Sequence, residues 1–172
     1  MDNFAEISPE DLENVDNLSF TQGNDGDSQL IGVSRGGRTT KIHAAVGNNG
    51  KPTALMLTAG NINDCSAAVD LLSLAIIDGK TILGDKAYAT KEIMGYIQKN
   101  GAAFCIPPKS NTKDPWEFDK DQYKNRNVVE RFFNKLKQFR AVATRYDKLA
   151  ERYFGFVLMA SIMIMLKLHT PT

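Results

Sequence analysis

Toward the end of the chain, the stretch YKNRNVVERFFNKLKQFR brings together a phenol, two cations and a carboxylate at helical spacing: Tyr123, Arg126, Lys137 and Glu130. At 3.6 residues per turn each residue advances about 100°, so Tyr123, Arg126 and Lys137 fall within roughly 40° of the direction of Glu130. They form one polar stripe. Val128, Val129, Phe132, Leu136 and Phe139 cluster on the opposite side, the face that would bury against a sheet. Two readings stand for the stripe. Arg126 and Glu130 are four residues apart and can pair on a helix surface, worth about 0.2–0.5 kcal/mol. Alternatively the carboxylate ligates a hard cation, while the bases around it meet phosphates.

A second acid weighs on that choice. KTILGDKAY is a short, apolar, partly β-branched run ahead of Gly84 and Asp85, which predicts a buried strand whose end presents Asp85. Two carboxylates on adjacent elements of a sheet-and-helix domain could share a metal.

The elements that must position these acids follow from the pattern upstream and between them. TTKIHAAV and PTALMLTAG flank Gly47-Asn48-Asn49-Gly50-Lys51, the composition of a hairpin turn, and predict two antiparallel strands. INDCSAAVDLLSLAII predicts a helix capped by Asp64 and closed by Gly79. KEIMGYIQKN predicts a second helix that stops at Gly101, and AAFCIPP a further strand broken by Pro107 and Pro108. Two helices, near Tyr123 to Phe139 and Leu149 to Lys167, end the chain. Hairpin, helix, strand, helix, strand, helices is the order of an α/β domain with a mixed sheet covered by helices. The first thirty residues form an acidic lead-in whose segment ENVDNLSF has the makings of a short strand, and the domain proper runs from 31 to 168.

Composition narrows the class without naming a function. At 172 residues, 42% hydrophobic and 24% charged, the chain is about one domain long and has a globular balance. The apolar run FGFVLMASIMIML is shorter than the ~20 residues a bilayer span needs, so it predicts a buried helix and no membrane partner. Cys65 and Cys105 lack CxxC spacing, which with no secretory pattern predicts reduced thiols and a cytoplasmic setting. The formal net charge of +1 hides an asymmetry: no Lys or Arg precedes Arg35, whereas the segment from Tyr123 to Arg152 is strongly basic. Such a basic segment is suited to phosphate backbones.

Tyr123, Arg126, Glu130 and Lys137 also reproduce the Y-x2-R-x3-E-x6-K pattern of DDE transposases of the insertion sequence 4 and 5 superfamily. With SRGGRTTKIHA, ILGDKAY, IPPKSN and ERFFNKLKQFRAVATRYDK, the chain resembles an insertion sequence 5 type transposase from about Ile31 to Lys167. The resemblance implies an RNase H-like catalytic domain in which three acids hold two divalent ions, Mg²⁺ or Mn²⁺, for cutting and joining DNA strands. Asp85 matches the family's second acid and Glu130 its third. Arg126 and Lys137 would contact phosphates, and Tyr123 would help to position the strand. The implied partners are DNA, as transposon ends and target, with room for a homo-oligomer and for a separate DNA-recognition polypeptide.

The family's first acid stands on its first strand, in a D-G or D-S/T context, and here the pattern departs: the segment reads Val15-Asp16-Asn17. Asp16 is the candidate, because Leu12, Val15, Leu18 and Phe20 could anchor a short strand around it. Asp25 and Asp27 sit among glycines that suit a turn. Without a first acid the chain would be a truncated, catalytically silent transposase that keeps DNA binding. A metal-dependent nuclease of the same fold is a third reading. His43, on a predicted strand, is expected to serve as a hydrogen-bonded structural residue rather than a ligand.

Overall fold

The computed structural model describes residues 29–166. It is a mixed α/β chain of small sheets and helices, in the order the sequence predicts. Strands β1 (Gly32–Ser34), β2 (Gly37–Val46) and β3 (Pro52–Ala59) form an antiparallel sheet in that spatial order. The turn between β2 and β3 is closed by Gly47 N–H donating to Lys51 O and Gly50 N–H donating to Gly47 O, each at 2.9 Å. Gly50 has φ +82°, a left-handed conformation that strains any residue with a Cβ. Ile42 stands opposite Leu57 and Ala44 opposite Leu55.

β3 reads as a continuous apolar run because both of its faces are covered. Leu55 and Leu57 enter a core with Phe132, Leu136, Tyr153 and Val157, while their neighbours Ala54 and Met56, pointing the other way, are equally buried. A second core gathers Leu72, Ile77, Ile93, Ile97 and Ile106. It holds α1 (Ala68–Ser73) and α2 (Lys91–Lys99) against a parallel pair, β4 (Thr81–Leu83) and β5 (Ala103–Cys105). The remaining helices are α3 (Lys120–Tyr123), α4 (Asn127–Leu136), α5 (Arg140–Ala143) and α6 (Ala150–Met165). No helix among the described residues is long and apolar enough to cross a membrane. Both cysteines are free thiols.

Three expectations need correction. Asp64 does not cap a helix: α1 starts only at Ala68, its N-terminus has no side-chain cap, and Asp64 turns instead to Lys41. The segment before α1 is held in turns by Asn63, whose side-chain oxygen accepts from Cys65 N–H and whose carbonyl accepts from Ser66 N–H. α1 also ends at Ser73, well before Gly79. Secondly, the strands do not form one mixed sheet: among the described residues the antiparallel and parallel ladders share no hydrogen-bonded edge. β1 covers only Gly37 to Thr39 of the outer edge of β2, and among the described residues no strand pairs with that edge from Lys41 to Val46. Thirdly, the helix expected from Tyr123 to Phe139 is divided into α3, a 3-10 turn over Lys124–Arg126, and α4. A 3-10 residue turns about 20° further than an α-helical one, so Tyr123 is rotated away from the direction an unbroken helix would give it.

Candidate active site

Asp85 stands where the parallel ladder ends. β4 stops at Leu83, and Gly84 lets the chain pass close to Tyr88 and Ile106: a Cβ there would lie 3.4 Å from the Tyr88 side chain and 3.5 Å from Ile106. Asp85 then takes an extended backbone and caps a 3-10 turn over Lys86–Tyr88, its Oδ1 accepting from Ala87 N–H at 2.8 Å. That bond fixes the carboxylate and leaves Oδ2 open. One turn on, Tyr88 is half-buried, and its phenol is pushed up to about 12, first by burial and then by the nearby charges of Asp64 and Asp85, with Cys65 adding and Arg126 opposing.

Glu130 lies in the first turn of α4, where a carboxylate suits the positive end of the helix. Its Oε1 accepts from Arg126 Nη2 at 2.7 Å, and Oε2 is free to take another partner. The side chains are 34% and 59% exposed, so the pair sits at the protein surface and not in its core. The guanidinium of Arg126 lies 5.9 Å from the ring centre of Tyr123, whose other neighbour is Phe118 in an edge contact at 5.6 Å. The surface pair of the first reading therefore forms, and Oε2 is left over for the second. Lys137 follows α4 as its C-cap and is exposed. Val128, Phe132 and Leu136 are buried on the far side of the helix, as its periodicity predicts. Asp16 lies outside the described residues.

Asp85 and the Arg126–Glu130 pair come from different elements, and Tyr88 feels the charges of both Asp85 and Arg126. Beside Tyr88 opens a cavity of about 340 Å³, lined by the β2 residues Lys41, Ile42, His43 and Ala44 together with Asp64, Val129 and Phe133. Lys41 Nζ spans this wall, donating to Asp64 Oδ1 at 2.9 Å and to Ile62 O at 2.7 Å. His43 is a structural residue as expected: it is buried, its Nε2 is 2.7 Å from Thr58 Oγ1, and burial lowers its pKa, with Asp64 raising it and Lys41 lowering it further. Lys41, Asp64 and Tyr88 were not singled out as site residues by sequence reasoning. Signals existed: Lys41 and His43 are two apart on a strand and so share a face, and Tyr88 follows Asp85 by one short turn.

Asp85 and Glu130 each offer a carboxylate oxygen, the donor that hard Mg²⁺ prefers. Among the described residues no three His, Cys, Asp or Glu side chains converge to hold an ion.

Comparison with known proteins gives these residues a family. Residues 21–115 match a transposase DDE domain, and residues 82–167 match a second family of the same description. The chain belongs to the DDE transposases of insertion sequence elements. It is 35% identical over 130 residues, covering 75% of this chain and 99% of the relative, to the Brucella ovis protein named "Putative transposase for insertion sequence element IS6501". No solved structure matches it significantly.

Proposed function

We propose that residues 31–168 form the RNase H-like catalytic domain of a cytoplasmic DNA transposase, which cuts a strand at a transposon end and joins the freed 3′-hydroxyl to target DNA. The observation that supports this most is that Asp85, at the end of β4, and Arg126, the ion-pair partner of Glu130, both act on the phenol of Tyr88. Asp85, Glu130 and Asp16 would hold the divalent ions, Mg²⁺ or Mn²⁺. When bound, such ions stabilise the attacking and leaving oxygens of an in-line displacement. Arg126 and Lys137 hold the DNA backbone at this point, and Tyr123 orients the strand; contacts of this kind give affinity without sequence choice.

Asp16 is the candidate for the first acid and lies outside the described residues.

The deciding experiment is nicking of a duplex that carries the element's terminal inverted repeat, with Mg²⁺ or Mn²⁺ present. Cleavage and joining by the wild type, lost in Glu130→Gln, Asp85→Asn and Asp16→Asn, supports the reading. Undiminished cleavage in Glu130→Gln rejects the assignment. A second reading, a silent remnant that binds DNA only, is favoured by the acidic front of the chain and by the Val15-Asp16-Asn17 context, which departs from the family's first-acid pattern. Salt-dependent binding without metal-dependent cleavage would select it.

A further inference from the structure

The stripe of Glu130 is not the only polar face of α4. Arg131 and Lys135 project roughly 100° and 140° around the helix from Glu130, on the flank away from the Tyr88 cavity. Both are exposed. They border a second groove of about 200 Å³, whose other wall is the β2–β3 turn with Asn48, Asn49 and Gly50, and whose floor is Val128 and Phe132. The lining contains two cations and two carboxamides, and no acid. Asn49 Oδ1 accepts from Lys51 N–H at 3.0 Å, which turns the amino end of that carboxamide outward. Every polar side chain in the groove can thus donate, and none carries negative charge. A turn held by its own hydrogen bonds and a helix anchored through Phe132 and Leu136 keep the two walls in place.

We propose that this groove is a second DNA-backbone contact, separate from the carboxylates, in which Arg131 and Lys135 hold consecutive phosphates of a duplex while the Asn48–Asn49 turn donates to the same strand. Four residues of helix rise about 6 Å, so the two cations form a short positive line and not a single point. The chemistry excludes a role in cleavage, since no carboxylate lies in the groove to hold an ion. It also separates binding from catalysis along one helix: one flank of α4 faces the acids, and the other grips a stretch of backbone away from the scissile bond. The inference rests on the reading of the chain as a DNA-acting enzyme.

Its test is DNA binding by fluorescence anisotropy across a salt series, using a duplex of unrelated sequence and the full chain. The Arg131→Gln, Lys135→Gln double variant is compared with a charge-matched control, Lys91→Gln with Lys99→Gln, whose side chains are exposed on α2. Loss of two phosphate contacts should flatten the plot of log K against log salt by about 1.8 and weaken binding roughly 10- to 100-fold at about 0.1 M salt. Metal-dependent nicking at saturating protein should survive, and Arg131→Glu should weaken binding further. A double variant that matches the control in both affinity and slope overturns the proposal while leaving the functional reading intact. A wild type with no salt-dependent DNA binding overturns both.

Discussion

Arg126 Nη2 lies 2.7 Å from Glu130 Oε1, across one turn at the start of α4. As a half-exposed pair at i,i+4 it contributes about 0.3–0.5 kcal/mol to folding. The Glu130→Gln variant should therefore unfold within about 0.5 kcal/mol of the wild type in urea, while its metal-dependent cleavage is abolished. A variant destabilised by several kcal/mol would mean that Glu130 is a structural residue.

His43 gives the fold a pH dependence. Burial holds its folded pKa below the ordinary 6.5, so the unfolded chain binds the proton more readily. Its contribution is complete above pH 6.5 and is lost as pH falls from there through the folded value. The His43→Gln variant, whatever its absolute stability, should show a flatter melting temperature between pH 7 and 5 than the wild type. Parallel profiles for the two proteins would remove His43 as the source.

Gly60 closes the open end of the β2–β3 ladder, where its N–H donates to Thr39 O at 2.9 Å. A Cβ at this position would meet Thr39 Oγ1 at 2.0 Å and the Thr39 carbonyl oxygen at 2.7 Å, and the latter is backbone that cannot rotate aside. Gly60→Ala is expected to cost about 1–3 kcal/mol. Denaturant midpoints at unchanged slope would record it, and an unshifted midpoint would show that the turn relaxes freely.

Phe132 is 1% exposed and joins α4 to β3 and α6. Its replacement by Ala should destabilise the protein by about 3–5 kcal/mol. The same experiment on Phe133, half-buried beside the Tyr88 cavity, should cost clearly less.

The parts of this structure that were legible in the sequence are those with local causes. The β2–β3 hairpin follows from GNNGK between two apolar runs, the buried face of α4 from the spacing of Val128, Phe132 and Leu136, and the strand-end position of Asp85 from the run ahead of Gly84. Asp64 was misread because an acid before an apolar stretch resembles an N-cap. Its actual partner, Lys41, is twenty-three residues away on another element and leaves no local trace. The 3-10 turn over Lys124–Arg126 was hidden for a similar reason, since its residues are compatible with an α-helix and tertiary packing decides between the two. The groove beside Arg131 and Lys135 was equally invisible, because its second wall is a hairpin tip some eighty residues earlier.

The outer edge of β2 carries a liability. Among the described residues no strand pairs with it from Lys41 to Val46, and an open row of backbone donors and acceptors pairs in water with an extended strand of another copy. Charge on an edge strand opposes such pairing, and on this run it comes from Lys41. The Lys41→Ala variant should therefore enter oligomers and then aggregates at concentrations where the wild type stays dispersed.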